Sequence, residues 1–115
     1  MVVLPDHLHC IWQFDGTDVD YSLRWQMIKS RFARMSPRLP KPIWQPRCWE
    51  HMIRDEKDLH RHIDYIHNNP VKHGYVASSM TWSWSSFGNF VSKGWYDSDW
   101  GAGIEVDTIR KMDLE

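Results

Sequence analysis

Apolar and polar positions along the chain repeat with two different periods. Val2, Val3 and Leu4 form a short apolar run, Pro5 and Asp6 interrupt it, and residues 7–14 then alternate strictly. Leu8, Cys10, Trp12 and Phe14 fall on one face and His7, His9, Ile11 and Gln13 on the other, which predicts a β-hairpin whose first face is buried. Residues 21–35 change period: Trp25, Ile28, Phe32 and Met35 recur at helical spacing, and basic residues occupy the opposite face. Pro37, Pro40, Pro42 and Pro46 then allow only an irregular connector.

Residues 48–54 alternate again and predict a third strand. Asp55 is an N-cap candidate, with Asp58 three residues on, for a helix expected to end near Asn68 because Pro70 follows. Leu59, Ile63 and Ile66 form its expected buried stripe. Asp58, His62, Tyr65 and Asn69 form a polar band beside it. Beyond Gly74 the pattern weakens: residues 82–90 read as a short strand or an irregular wrap. Two regions are expected, a folded domain over residues 1–91 and an acidic tail over residues 92–115.

Composition narrows the class. With 115 residues, 42% hydrophobic and 25% charged, the chain fits one globular domain rather than a disordered segment. No apolar run approaches the roughly 18 residues needed to span a bilayer and no signal peptide is recognisable, so no membrane partner and a cytoplasmic location are expected. Cys10 and Cys48 lack CxxC spacing and read as small buried residues rather than a disulfide or zinc pair. Most of the eight tryptophans read as core, with stacking on unpaired bases as the alternative.

The net charge of −1 conceals a segregation. Between residues 24 and 54, Arg24, Lys29, Arg31, Arg34, Arg38, Lys41, Arg47 and Arg54 face a single acid, Glu50. Such a run is either a solvated helix face or a surface that tracks phosphates.

Chemistry concentrates at two places. His7 and His9, one residue apart on a strand, project from the same face and can present two imidazoles to one cation; two surface histidines are the plainer reading. Tyr65 and Asn69 are one helical turn apart, which is ordinary packing or part of a site. An unrelated metal hydrolase would need a third ligand at zinc spacing, and His51, His60 and His62 form no recognised zinc pattern.

The string Val2-Val3-Leu4-Pro5-Asp6-His7-Leu8-His9 resembles the HUH motif of single-tyrosine transposases, two histidines flanking a bulky apolar residue. The run Asp64-Tyr65-Ile66-His67-Asn68-Asn69-Pro70-Val71-Lys72-His73-Gly74-Tyr75 resembles the catalytic-tyrosine helix and exit loop of REP-associated tyrosine transposases. Ile43-Trp44-Gln45-Pro46-Arg47 leading into Trp49-Glu50-His51, then residues 82–87 and Trp100, extend the resemblance in order along nearly the whole chain.

The resemblance implies an α+β domain with a ferredoxin-like antiparallel sheet and helices on one face. It implies His7, His9 and Asn69 as ligands of a divalent metal, Mg²⁺ or Mn²⁺, and Tyr65 as the nucleophile. It implies an enzyme that nicks and rejoins single-stranded DNA at hairpin-forming palindromes through a 5′-phosphotyrosine. Arg24, Lys29, Arg31, Arg34, Arg47 and Lys72 are the expected DNA contacts. The alternative is a non-catalytic hairpin-binding descendant of such a transposase. Relatives carry a strand, a helix and the start of another strand ahead of the HUH motif, so an N-terminal strand and helix are expected to be missing here.

Overall fold

The computed structural model describes residues 1–17 and 20–101, and the greater part of the expected acidic tail lies outside them. The chain is α+β, with a two-stranded antiparallel sheet and three α-helices among the described residues. It divides into two compact units, residues 12–50 and residues 1–11 with 51 onward.

The second of these units holds the sheet. Strand β1 (Val2–Val3) pairs with β2 (Leu8–His9), Val2 opposite His9 and Val3 opposite Leu8. Pro5 and Asp6 occupy the turn, and the Leu4 amide donates to the His7 carbonyl at 2.8 Å. Pro5 supplies the fixed φ that such a turn favours. The expected strand over residues 7–14 is thus shorter than its alternation suggested. With Val2 opposite His9, the ladder ends within two residues of the histidine pair, and Ile11 packs against the core.

The third expected strand is absent as well, and the other edge of β1 is lined from elsewhere in the chain. Residues 48–54 form no strand: the Arg54 amide and the His51 ring are both taken by the Asp58 carboxylate, a local anchor that competes with ladder pairing. Residues 84–86 line the free edge of β1 instead, through a Val2–Ser85 bridge, Val3 N–H to the Trp84 carbonyl at 2.8 Å and Ser86 N–H to the Met1 carbonyl at 2.9 Å.

Helix α2 (Glu56–Lys72) starts where expected, with the Asp55 carboxylate accepting from Asp58 N–H at 2.8 Å, a cap worth ~1 kcal/mol. Its end differs. Pro70 lies inside the helix and is buried, and the helix closes four residues later on Gly74, at φ 75°. Gly74 N–H bonds the Val71 carbonyl and Tyr75 N–H the Pro70 carbonyl, each at 3.0 Å, a Schellman cap that needs the left-handed glycine. Proline removes one N–H and crowds one carbonyl, but the surrounding stretch is buried almost continuously from His62 to Pro70. Burying Ile63 and Ile66 alone contributes about 1.5–3 kcal/mol each, which outweighs the break.

The core consists of Val2, Leu4, Tyr65 and Ile66, with Ile11 and Trp82 packed on it. Beside it, α3 (Phe87–Ser92) and the following turn bring Phe87, Phe90 and Tyr96 around His67, with Trp100 packed on Phe87 and Tyr96. Tryptophan contributes less to the interior than its number suggests: none of the eight is fully buried, and Trp49, Trp84 and Trp95 are exposed. Cys48 is exposed as well, and Cys10 half-buried.

In the other unit, α1 (Tyr21–Met35) matches the helix its spacing predicted, but no residue of it is buried. Trp25 stacks on Trp12 at 4.9 Å, and Phe32 meets Trp44 edge-on at 5.4 Å. No helix of the described residues is long and apolar enough to cross a membrane.

Candidate active site

The hairpin and α2 bring together residues some sixty positions apart. The His7 and His9 rings lie 5.1 Å apart, nearly perpendicular, and the His9 ring meets Tyr65 edge-on at 5.7 Å. His7 Nδ1 is 2.6 Å from Asp6 Oδ1. That bond draws the ring proton to Nδ1 and leaves the lone pair on Nε2, the arrangement in which a histidine is prepared to ligate. The same hydrogen bond is the main cause holding the Asp6 carboxyl below its usual range.

Tyr65 and Asn69 lie one turn apart on α2, and because the helix continues through Pro70 they share a face. The sequence placed Tyr65 in a polar band beside the buried stripe; it is 2% exposed and belongs to the core. Its hydroxyl oxygen accepts from Lys72 Nζ at 3.0 Å, and that ammonium sits 4.9 Å from the ring centroid. Asn69 is completely buried, and among the described residues neither atom of its carboxamide has a hydrogen-bond partner. An orphaned buried amide is costly unless something completes it, although the neighbouring Asn68 is in the same state. Two imidazole nitrogens and an amide oxygen fit a divalent cation of intermediate softness, Mn²⁺ more readily than Mg²⁺.

Sequence reasoning assigned Lys72 to DNA alone and gave no role to His73. The His73 ring packs edge-on against His7 at 5.1 Å. The Tyr65–Lys72 spacing of seven residues, two helical turns, was the available signal, hidden by ending the helix at Asn68.

A second polar cluster lies at the start of α2. Asp58 Oδ2 accepts from His51 Nε2 at 2.8 Å and from Arg54 N–H at 3.0 Å, and Oδ1 lies 3.2 Å from His62 Nδ1. The His51 and His62 rings stack at 4.5 Å, and the three side chains offer ligand atoms within 4.8 Å of one another. The Arg54 guanidinium, 3.5 Å from Oδ2, already supplies a cation there, and His62 Nδ1 donates to the Asp58 carbonyl at 2.8 Å. We read the cluster as a knot tying residues 51–54 to the helix. These bonds, that from His51 first, hold the Asp58 carboxyl well below the usual range.

Of the expected DNA contacts, Arg24, Arg31, Arg34 and Arg47 are exposed in the unit of residues 12–50. Lys29 in the same unit lies 5.8 Å from the Trp44 ring centroid, and Lys72 belongs to the site just described.

No protein-family model matches the chain. Individual proteins do. Over 103 residues it is 48% identical to a REP-associated tyrosine transposase of Escherichia coli, an alignment covering 90% of this chain and 61% of that protein. A Haemophilus influenzae protein provisionally given the same description is 42% identical, over 90% of this chain and 66% of its own length. The solved structure of a REP-associated tyrosine transposase bound to a REP hairpin superimposes with a TM-score of 0.82 at 49% identity, covering 92% of this chain and 62% of that one. By sequence and by fold, this chain is therefore a homologue of the REP-associated tyrosine transposases, spanning between 61% and 66% of the length of those it matches.

Proposed function

We propose that this chain carries the DNA-cutting site of a metal-dependent tyrosine transposase, which nicks and rejoins single-stranded DNA beside a hairpin. What supports the reading most is the meeting of His7 and His9 with Tyr65, from a hairpin and a helix remote in sequence. The homologues named as transposases, and the solved relative bound to a REP hairpin, supply the substrate class.

His7, His9 and Asn69 would hold a divalent cation, which when bound polarises the oxygens of the scissile phosphate. The chain's own residues do the rest. The Tyr65 oxygen loses its proton to solvent and attacks phosphorus, the bond to the 3′-oxygen breaks, and that oxygen takes up a proton from solvent, giving a 5′-phosphotyrosine and a free 3′-hydroxyl. The phosphodiester energy is retained for rejoining. Lys72 donates to the Tyr65 oxygen and stabilises negative charge there as the phenol proton leaves. Packing of the tyrosine ring among Val2, Leu4 and Ile66 holds the nucleophile in one orientation. Asp6 holds the His7 ring in its ligating tautomer.

The test is incubation of the chain with a labelled hairpin bearing a single-stranded flank, with and without Mn²⁺, followed by denaturing electrophoresis. A covalent adduct that needs the metal and vanishes in Tyr65→Phe, with affinity retained, is expected. Hairpin binding without any adduct would favour a non-catalytic binder.

A further inference from the structure

We propose that the exposed ring of Tyr75, backed by Trp82, is a shelf on which an unpaired nucleobase next to the scissile phosphate stacks. The inference rests on the reading that DNA is cut at Tyr65. It names the part of the substrate that this side of the site would hold.

A continuous series of rings leads away from the candidate ligands. His9 meets His7 at 5.1 Å, His7 meets His73 at 5.1 Å, His73 meets Tyr75 at 6.2 Å, and Tyr75 stacks on Trp82 at 5.5 Å with the planes 28° apart. The series begins at the site and its next-to-last ring, Tyr75, is 43% exposed. Tyr75 is nonetheless fixed. Its amide is bonded to the Pro70 carbonyl in the cap of α2, and Trp82 behind it is pinned by its indole N–H to the Val3 carbonyl at 2.9 Å. One face of the tyrosine is covered by Trp82, and the ring is held in place before any ligand arrives.

Stacking on such a ring tolerates any base and contributes the more because little side-chain freedom is lost on binding. Charge is placed to match. Lys72, three residues before Tyr75, sets an ammonium beside the Tyr65 hydroxyl, where a phosphate would sit, so cation and ring alternate as phosphate and base do along a strand. The plainer explanation is that Tyr75 supplies the apolar contact that accompanies a Schellman cap. An aliphatic residue would serve that purpose equally well, so Tyr75→Leu separates the two.

The experiment measures affinity of the chain, with Mn²⁺, for a hairpin carrying a single-stranded flank and for the same hairpin without it. 2-Aminopurine placed at successive flank positions reports stacking. Tyr75→Leu should weaken binding of the flanked hairpin about tenfold and leave the blunt one unchanged, while Tyr75→Phe retains wild-type affinity. One 2-aminopurine position should be quenched by wild type and not by Tyr75→Leu. Unchanged affinity of Tyr75→Leu for the flanked hairpin, equal weakening on both hairpins, or a Tyr75→Phe as weak as Tyr75→Leu would each overturn the shelf while leaving the Tyr65 adduct intact. A wild-type chain that binds neither hairpin would remove the parent reading, and the shelf with it.

Discussion

Helices α1 and α2 are nearly equal in length, 15 and 17 residues, and are used in opposite ways. No residue of α1 is buried, and it carries Arg24, Arg31 and Arg34 exposed to solvent. Nine residues of α2 are buried, among them Asp58, His62, Tyr65, His67, Asn68 and Asn69, polar groups that most helices leave in water. Burying them costs free energy unless they are paired, and here most are tied to named partners. On the proposed reading, the contrast teaches that the two tasks of cutting DNA, holding the strand and attacking it, need different mechanics. Attracting a polyanion needs only charge at a surface, whereas directing one hydroxyl at one phosphorus needs a side chain that cannot turn away.

The largest effect should follow from removing a ligand beside α2. His7→Ala or His9→Ala is expected to lower adduct formation by at least about 100-fold, since a bound cation supplies several kcal/mol at the transition state. Both residues are only half-buried, so the melting temperature should hardly move. A loss of activity that tracks a loss of folding would count against a ligand role.

Next is the knot. Asp58→Ala leaves the His51 ring and the Arg54 amide without their shared acceptor and should lower the melting temperature by several degrees, measured by circular dichroism. An unchanged melt would mean that residues 51–54 are anchored some other way.

A pH effect of α2 comes third. Burial first, and the positive N-terminal amine second, lower the His67 pKa to about 4 from its ordinary 6.5. Between these values the unfolded chain takes up a proton that the folded chain refuses. Stability should therefore be unaffected above pH 6.5 and fall as pH drops toward 4, by up to about 3 kcal/mol. Urea unfolding at a series of pH values reads this directly, and His67→Gln should flatten that limb.

The smallest stability effect belongs to α1. Replacing Arg31 and Arg34 together with alanine should change unfolding free energy by no more than ~0.5 kcal/mol. It should still weaken DNA binding and reduce the salt slope by about 0.7 for every phosphate that is no longer neutralised.

Much of this contrast was readable from residue order. The spacing of Trp25, Ile28, Phe32 and Met35 matched α1 end to end, and Asp55 capped α2 as its side chain predicted. His7 and His9 fell on one face of a hairpin because side-chain direction in a strand has period two. What escaped were the places where tertiary contacts override a local rule. Pro70 ends an isolated helix but not one buried on both sides of it, and the error hid Lys72 from Tyr65. Residues 48–54 alternate as a strand should, yet the Asp58 carboxylate claims their polar groups, and residues 84–86 take the place beside β1.

On the proposed reading, the buried helix presents its one tyrosine as a metal-dependent nucleophile. The direct test is peptide mass mapping of the chain after incubation with a flanked hairpin and Mn²⁺ and digestion of the DNA. A nucleotide remnant on the peptide containing Tyr65, absent when the metal is chelated, is the predicted result. A remnant on Tyr21, Tyr75 or Tyr96 instead, or one on Tyr65 that forms equally well without a divalent metal, would contradict the account.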